Sequence, residues 1–202
     1  MRCEVLGPIR VLIGGCPVDL GSPQQQRLLA LLLLDPDRPV PIDRLIDGLW
    51  GDHPPPSARH LVQVYVSRLR HVLDDAEGPS RIRREGPGYR LRVASHEVDA
   101  SQLEAQVAEA RHRSSEAAAS VEGALGEAMA TWRGRPFGDL ASGSPALERE
   151  AQRLDLALTL RTIEPADHLV AGAAALVLAD GEPTSDRLTR WVRLPWSHAV
   201  GL

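Results

Sequence analysis

A chain of 202 residues with a formal net charge of −4 is long enough for one large or two small domains, each with a core of its own. Only two cysteines occur, Cys3 and Cys16, at no metal-ligand spacing, and the apolar run 28–34 is far too short to cross a bilayer; a disulfide scaffold, a cysteine-held metal and a membrane span are thereby excluded. Both cysteines are expected as reduced thiols in a soluble cytoplasmic protein. All 23 basic side chains are arginine, in a chain rich in Ala, Gly and Pro, which reads as the coding bias of a GC-rich genome. Residues 1–97 carry thirteen arginines against twelve acids and residues 98–202 ten against fifteen, an asymmetry that fits a nucleic-acid module joined to a protein-contacting one.

In chain order, Cys3-Glu-Val-Leu, Arg10-Val-Leu-Ile and Pro17-Val-Asp-Leu read as short antiparallel strands, separated by Gly7-Pro8 and Gly14-Gly15. Ser22-Pro23-Gln24-Gln25 combines an N-cap, a proline at the first helical position and a glutamine three after the cap, which opens a helix to about Leu34. Asp35-Pro36-Asp37 ends it. A second helix over 42–50 presents Leu45, Ile46, Leu49 and Trp50 inward and closes at Gly51.

After Pro54-Pro55-Pro56 a helix starts at Ser57 and runs to Leu73. At about 100° per residue Ala58, Leu61, Val62, Tyr65, Val66, Leu69, Val72 and Leu73 share one apolar arc, and His60, Val64, Ser67 and His71 centre the opposite face. Arg59, Gln63, Arg70 and Arg68 flank that face. Such a face suits a major groove: Gln pairs with an adenine edge, Ser donates or accepts, Val touches a thymine methyl, and Arg reads guanine or grips phosphate. From Ile82 the period becomes two, with Tyr89, Leu91 and Val93 on the same side after the turn Gly86-Pro87-Gly88, and with Arg81, Arg83, Arg90 and Arg92 outward. The bland alternative is a solvated charged helix beside an ordinary hairpin.

In the second half, Val98-Asp99-Ala100 begins a helix with Leu103, Val107 and Ala110 at helical spacing. A further helix carries Val121, Leu125, Ala128, Met129 and Trp132, and another Leu147, Ala151, Leu154 and Leu158. Helix pairs of this kind point to a stacked α-repeat array.

Strands, helix, helix, loop, basic helix and hairpin in that order make an α+β winged helix behind a small antiparallel sheet. Pro23-Gln-Gln-Gln-Arg-Leu-Leu-Ala-Leu-Leu-Leu-Leu, Leu49-Trp50-Gly51, Leu61-Val-Gln-Val-Tyr-Val-Ser-Arg-Leu-Arg and Gly88-Tyr-Arg-Leu resemble the OmpR-type winged helix of the Streptomyces antibiotic regulatory protein (SARP) family. Val98-Asp99 and Trp132-Arg133-Gly134 resemble the marks of the bacterial transcriptional activator domain that follows it in that family. The resemblance implies a DNA-binding domain over 1–95 and an all-α, TPR-like, partial activator domain over 98–202 whose likeness to the family runs to about Glu164. It further implies an activator of antibiotic-biosynthesis genes, bound to promoter direct repeats on double-stranded DNA and located at the nucleoid, with a possible homodimer formed on DNA. RNA polymerase would be met through Gly51, Asp52, His53 and Pro54.

No phosphate-cradling Gly-x-x-x-x-Gly-Lys is present, and there is no lysine to complete one. His96-Glu97-Val98-Asp99 lacks a second histidine at helical spacing, and Ser142-Gly143-Ser144 follows no strand. The expectation is therefore a non-enzyme without catalytic residues, metal or cofactor, and without an NTPase or receiver domain. Two rivals stay open at this level: a protein-interaction module whose basic helix binds an acidic partner, and a DNA-binding repressor or dominant-negative form.

Overall fold

Three short strands open the chain, β1 (Arg2–Glu4), β2 (Arg10–Ile13) and β3 (Cys16–Pro17), paired antiparallel in the order β1-β2-β3. The computed structural model describes residues 1–74, 79–112 and 132–162. Gly14 and Gly15 form the β2–β3 turn with φ of 58° and 83°, the left-handed backbone that a two-residue hairpin loop demands. Cys3 lies opposite Val11 and Cys16 opposite Ile13, on strands that flank β2, and both thiols are free.

Burial, reinforced by the carboxylates of Glu97 and Asp99, pushes the Cys3 thiol up to about 12. Cys16 is exposed. An alkylating reagent at neutral pH is expected to modify one cysteine in the native protein and two in urea, counted by mass spectrometry. Two adducts on the native protein would place Cys3 at the surface.

Helix α1 (Pro23–Leu33) starts on the expected capping box: the Gln25 N–H donates to Ser22 Oγ and the Ser22 N–H to Gln25 Oε1, both at 3.4 Å. Every residue from Leu28 to Leu33 is buried, so this helix must lie at the centre of the fold. Helices α2 (Ile42–Trp50) and α3 (Ala58–Leu73) pack on it. Trp50, expected inward, is half-buried and stacks on Tyr65 with ring centroids 6.4 Å apart. At the start of α3, Ser57 holds the cap position without a side-chain cap bond, and the Ala58 N–H donates to the Pro55 carbonyl at 2.9 Å.

Between α1 and α2 the sequence reading passes straight from a helix end to a helix start, whereas the structure places a strand there, β4 (Pro39–Pro41). It joins β5 (Ile82–Glu85) and β6 (Gly88–Leu91) in an antiparallel sheet of order β4-β6-β5, so the expected hairpin is the outer part of a three-stranded wing. One buried valine, Val40, between two prolines is too short a signal for any periodicity to report. Gly88 permits the pairing, because a Cβ there would lie 2.0 Å from the Val40 carbonyl oxygen.

The wing leads through a 3-10 turn (Ser95–Glu97) into α4 (Asp99–His112). The buried Asp99 carboxylate accepts the Val5 N–H at 2.8 Å, the Leu6 N–H at 3.2 Å and the Ala100 N–H at 2.8 Å. From the other direction the Arg133 and Phe137 N–H groups donate to the carbonyls of Leu6 and Val5 at 2.8 and 2.9 Å. The Glu4 carboxylate draws in Arg2, Arg10 and Arg133. A second 3-10 turn (Gly138–Leu140) precedes α5 (Pro145–Thr162), which packs against α1 and α2 and buries Leu147, Ala151 and Leu154. Trp132 is partly buried against the same core.

Buried apolar residues from Cys3 to Leu154 thus form one continuous cluster across the 95–98 junction. The expected helix containing Val121, Leu125, Ala128 and Met129, and everything from residue 163 onward, lie outside the described residues.

Candidate nucleic-acid interface

Helix α3 turns Ala58, Val62, Val66, Leu69 and Leu73 into the core and leaves His60, Gln63, Ser67 and His71 exposed on the far side, with Val64 half-buried among them. The side chains of His60, Gln63, Ser67 and His71 form no hydrogen bond or ion pair among the described residues. Their donors and acceptors are free for base edges.

The flanking arginines differ in how they are held. Arg59 reaches Asp43 at 2.6 Å, but both side chains are more than 60% exposed, so the pair is weak and exchanges readily for a phosphate. Arg68 is exposed, with Nη1 3.4 Å from Gln25 Oε1, a donor contact from α3 to α1. Arg70 is half-buried and its Nε donates to the Ile82 carbonyl at 2.8 Å, which fastens α3 to β5 and sets the angle between helix and wing.

On the wing, Ile82, Tyr89 and Leu91 face the core, while the register sets Arg83 opposite Arg90 on the outer side. Arg83 and Arg92 are exposed and their side chains have no partner among the described residues. Arg81 is held at both ends: its N–H donates to Asp74 at 2.6 Å, and its guanidinium lies 3.4 Å from Glu97 and 3.5 Å from the Arg92 carbonyl. Arg90 spends one amino group on Glu85 at 2.6 Å, and its Nε is shielded from water without an acceptor. Arg84, which the sequence did not single out, is exposed and unpartnered on β5, the edge strand that α3 touches. Its signal was visible in sequence; the expected alternation simply assigned it to the inner side.

Glu97 anchors the junction. Burial acts upward on its carboxyl, but the Ala94 N–H, the chain's terminal ammonium and Arg81 together hold it below the usual carboxylate range. In the loop after α2, Asp52, His53 and Pro54 are exposed and Gly51 is half-buried, its N–H on the Asp47 carbonyl at 2.8 Å. Among the described residues no helix is long and apolar enough to cross a membrane, and no group of three His, Cys, Asp or Glu side chains is placed to hold a metal.

A polar helix face backed by a buried one, with an arginine-bearing β-wing fastened beside it, defines the winged-helix class of transcriptional regulator. Residues 16–91 match the family model for the C-terminal part of transcriptional regulatory proteins. Over 183 residues the chain is 32% identical to the transcriptional regulatory protein EmbR of Mycobacterium tuberculosis, covering 88% of this chain and 47% of EmbR. It is 36% identical over 159 residues to the regulatory protein AfsR of Streptomyces coelicolor, covering 77% of this chain and 15% of AfsR. A solved structure of M. tuberculosis EmbR in complex with a low affinity phosphopeptide superposes with a TM-score of 0.70 at 31% identity, over 79% of this chain and 42% of that one. The chain is similar to these bacterial transcriptional regulators, carries their C-terminal regulatory domain over residues 16–91, and spans about half the length of EmbR.

Proposed function

We propose that the chain is a sequence-specific DNA-binding transcriptional activator of secondary-metabolite genes, such as those of antibiotic biosynthesis. The carrying observation is the row of exposed, unpartnered polar side chains on α3, backed by an apolar face on the same helix whose centre, Ala58, Val62, Val66, Leu69 and Leu73, is buried. In this reading His60, Gln63, Val64, Ser67 and His71 meet base edges. Arg59 and Arg68 grip phosphates alongside them, and Arg83, Arg84 and Arg92 supply the wing's contacts with the backbone or minor groove. Arg70, Arg81 and Arg90 already hold partners within the protein and serve chiefly to position the wing.

The division into a DNA-binding unit over 1–95 and a TPR-like activator unit over 98–202 is part of the same proposal. So are binding to promoter direct repeats as a dimer assembled on DNA, a nucleoid location within the cytoplasm, and contact with RNA polymerase through Gly51, Asp52, His53 and Pro54. Support for the loop's role lies in its exposure beside the end of α2. The test is selection of fragments from a genomic library by the purified protein at physiological salt, followed by footprinting. Paired repeats about one helical turn apart near promoters are the expected result. Salt-sensitive binding without sequence enrichment would overturn it.

Single substitutions separate the two kinds of contact. Gln63→Ala is expected to change sequence preference at a cost of about 1–3 kcal/mol. Arg83→Ala is expected to weaken all duplexes alike and to lower the salt slope by about one. Binding isotherms on matched and mismatched duplexes read both, and a uniform loss from both variants would refute the division of roles.

A further inference from the structure

Where the wing joins the turn that leads into α4 lies a cleft of about 470 Å³. Arg81, Arg90 and Arg92 line it together with Asp37 and Glu97. Its size falls within the range of small-molecule sites.

The chemistry of the lining is specific. Arg90 lines the cleft with a guanidinium one of whose amino groups is on Glu85, and Arg81 and Arg92 line it beside Arg90. Arg92 is free, and Arg81 makes only long contacts of 3.4–3.5 Å with Glu97 and the Arg92 carbonyl. Three guanidinium forks converging from neighbouring strands suit the several oxygens of a phosphate group. Glu97 is already engaged by Arg81, whereas the Asp37 carboxylate is exposed and makes no hydrogen bond among the described residues. A free carboxylate next to a phosphate cradle is a partner for sugar hydroxyls.

We propose that this cleft is a binding site for a small phosphorylated, sugar-bearing molecule of the nucleoside diphosphate class. Its occupant would bridge the wing, through Arg90 and Arg92, to the junction residues Ala94 and Glu97 that lead into α4. The site is independent of what α3 contacts, and its test contains no DNA.

The experiment is calorimetric titration of the full chain with ADP and, separately, with inorganic pyrophosphate. Saturable one-to-one binding of ADP, competed by pyrophosphate, is expected. Arg92→Ala, at an exposed position that folding does not require, should weaken both ligands at least tenfold, and Asp37→Ala should weaken ADP while leaving pyrophosphate unchanged. Arg44→Ala removes the same charge from α2, away from the cleft, and should change neither. Absence of saturation at millimolar ligand, or an equal loss from Arg44→Ala and Arg92→Ala, would overturn the proposal. Equal effects of Asp37→Ala on the two ligands would overturn its sugar-bearing part.

Discussion

Asp99→Ala is expected to lower the stability of the folded protein by about 2–5 kcal/mol, measured by urea unfolding. The side chain is 4% exposed and accepts three backbone N–H groups, two of them from Val5 and Leu6 at the end of β1. Removing it leaves buried donors unpaired, at about 1–3 kcal/mol each. Asp99→Asn should recover part of the loss, since an amide oxygen still accepts on one side while the amide N–H₂ opposes a donor on the other. A loss below about 1 kcal/mol for the alanine variant would mean that water replaces the carboxylate and that the β1–α4 connection is not held by it.

The same region carries a pH signature. Burial pushes the Asp99 carboxyl up, against the pull of its three N–H donors. The folded state therefore keeps that proton more tightly than the unfolded chain, and the contribution is present at acid pH and lost as pH rises through the folded value. Glu97, held below its usual range, acts in the opposite sense: its contribution is present above the ordinary glutamate range and is lost as pH falls through its folded value.

Gly88→Ala is the second large effect, expected to cost about 3 kcal/mol or more. The added Cβ would fall 2.0 Å from the Val40 carbonyl oxygen, 2.6 Å from its carbon and 2.9 Å from the Pro41 Cα, all backbone atoms that no rotamer change can move aside. Strand β4 would have to leave β6, breaking the Val40–Tyr89 pairing and the bond from the Ile42 N–H to the Pro87 carbonyl, 3.1 Å long, that ties the wing turn to α2. Calorimetric unfolding reads the stability. If the proposed DNA reading holds, affinity should fall for every duplex while the order of sequence preference, set on α3, stays as it was. An unchanged melting temperature would show that β4 is dispensable to the wing.

Much of the fold was legible from local pattern. The capping box at Ser22 and Gln25, the apolar arc of α3 and the turn at Gly86-Pro87-Gly88 each involve residues within a few positions of one another, so composition and period report them directly. The exposed row His60, Gln63, Ser67 and His71 followed from the same angular argument, and the structure places it where the period predicts. Arg84 escaped because alternation puts it on the inner side, opposite Tyr89, whereas on β5 burial ends at Ile82 and leaves it exposed.

What the chain determines by itself, then, is where its helices and main hairpin begin and end and which face of each is apolar, because these depend on neighbours in sequence and on the hydrophobic effect. Tertiary structure alone decided which charges are spoken for and what closes the sheet. Arg70 finds the Ile82 carbonyl, Arg81 finds Glu97, β4 finds β6, and Asp99 finds the N–H groups of Val5 and Leu6 more than ninety residues away. A partner for a polar group is selected by distance and burial in three dimensions, and no local period encodes it.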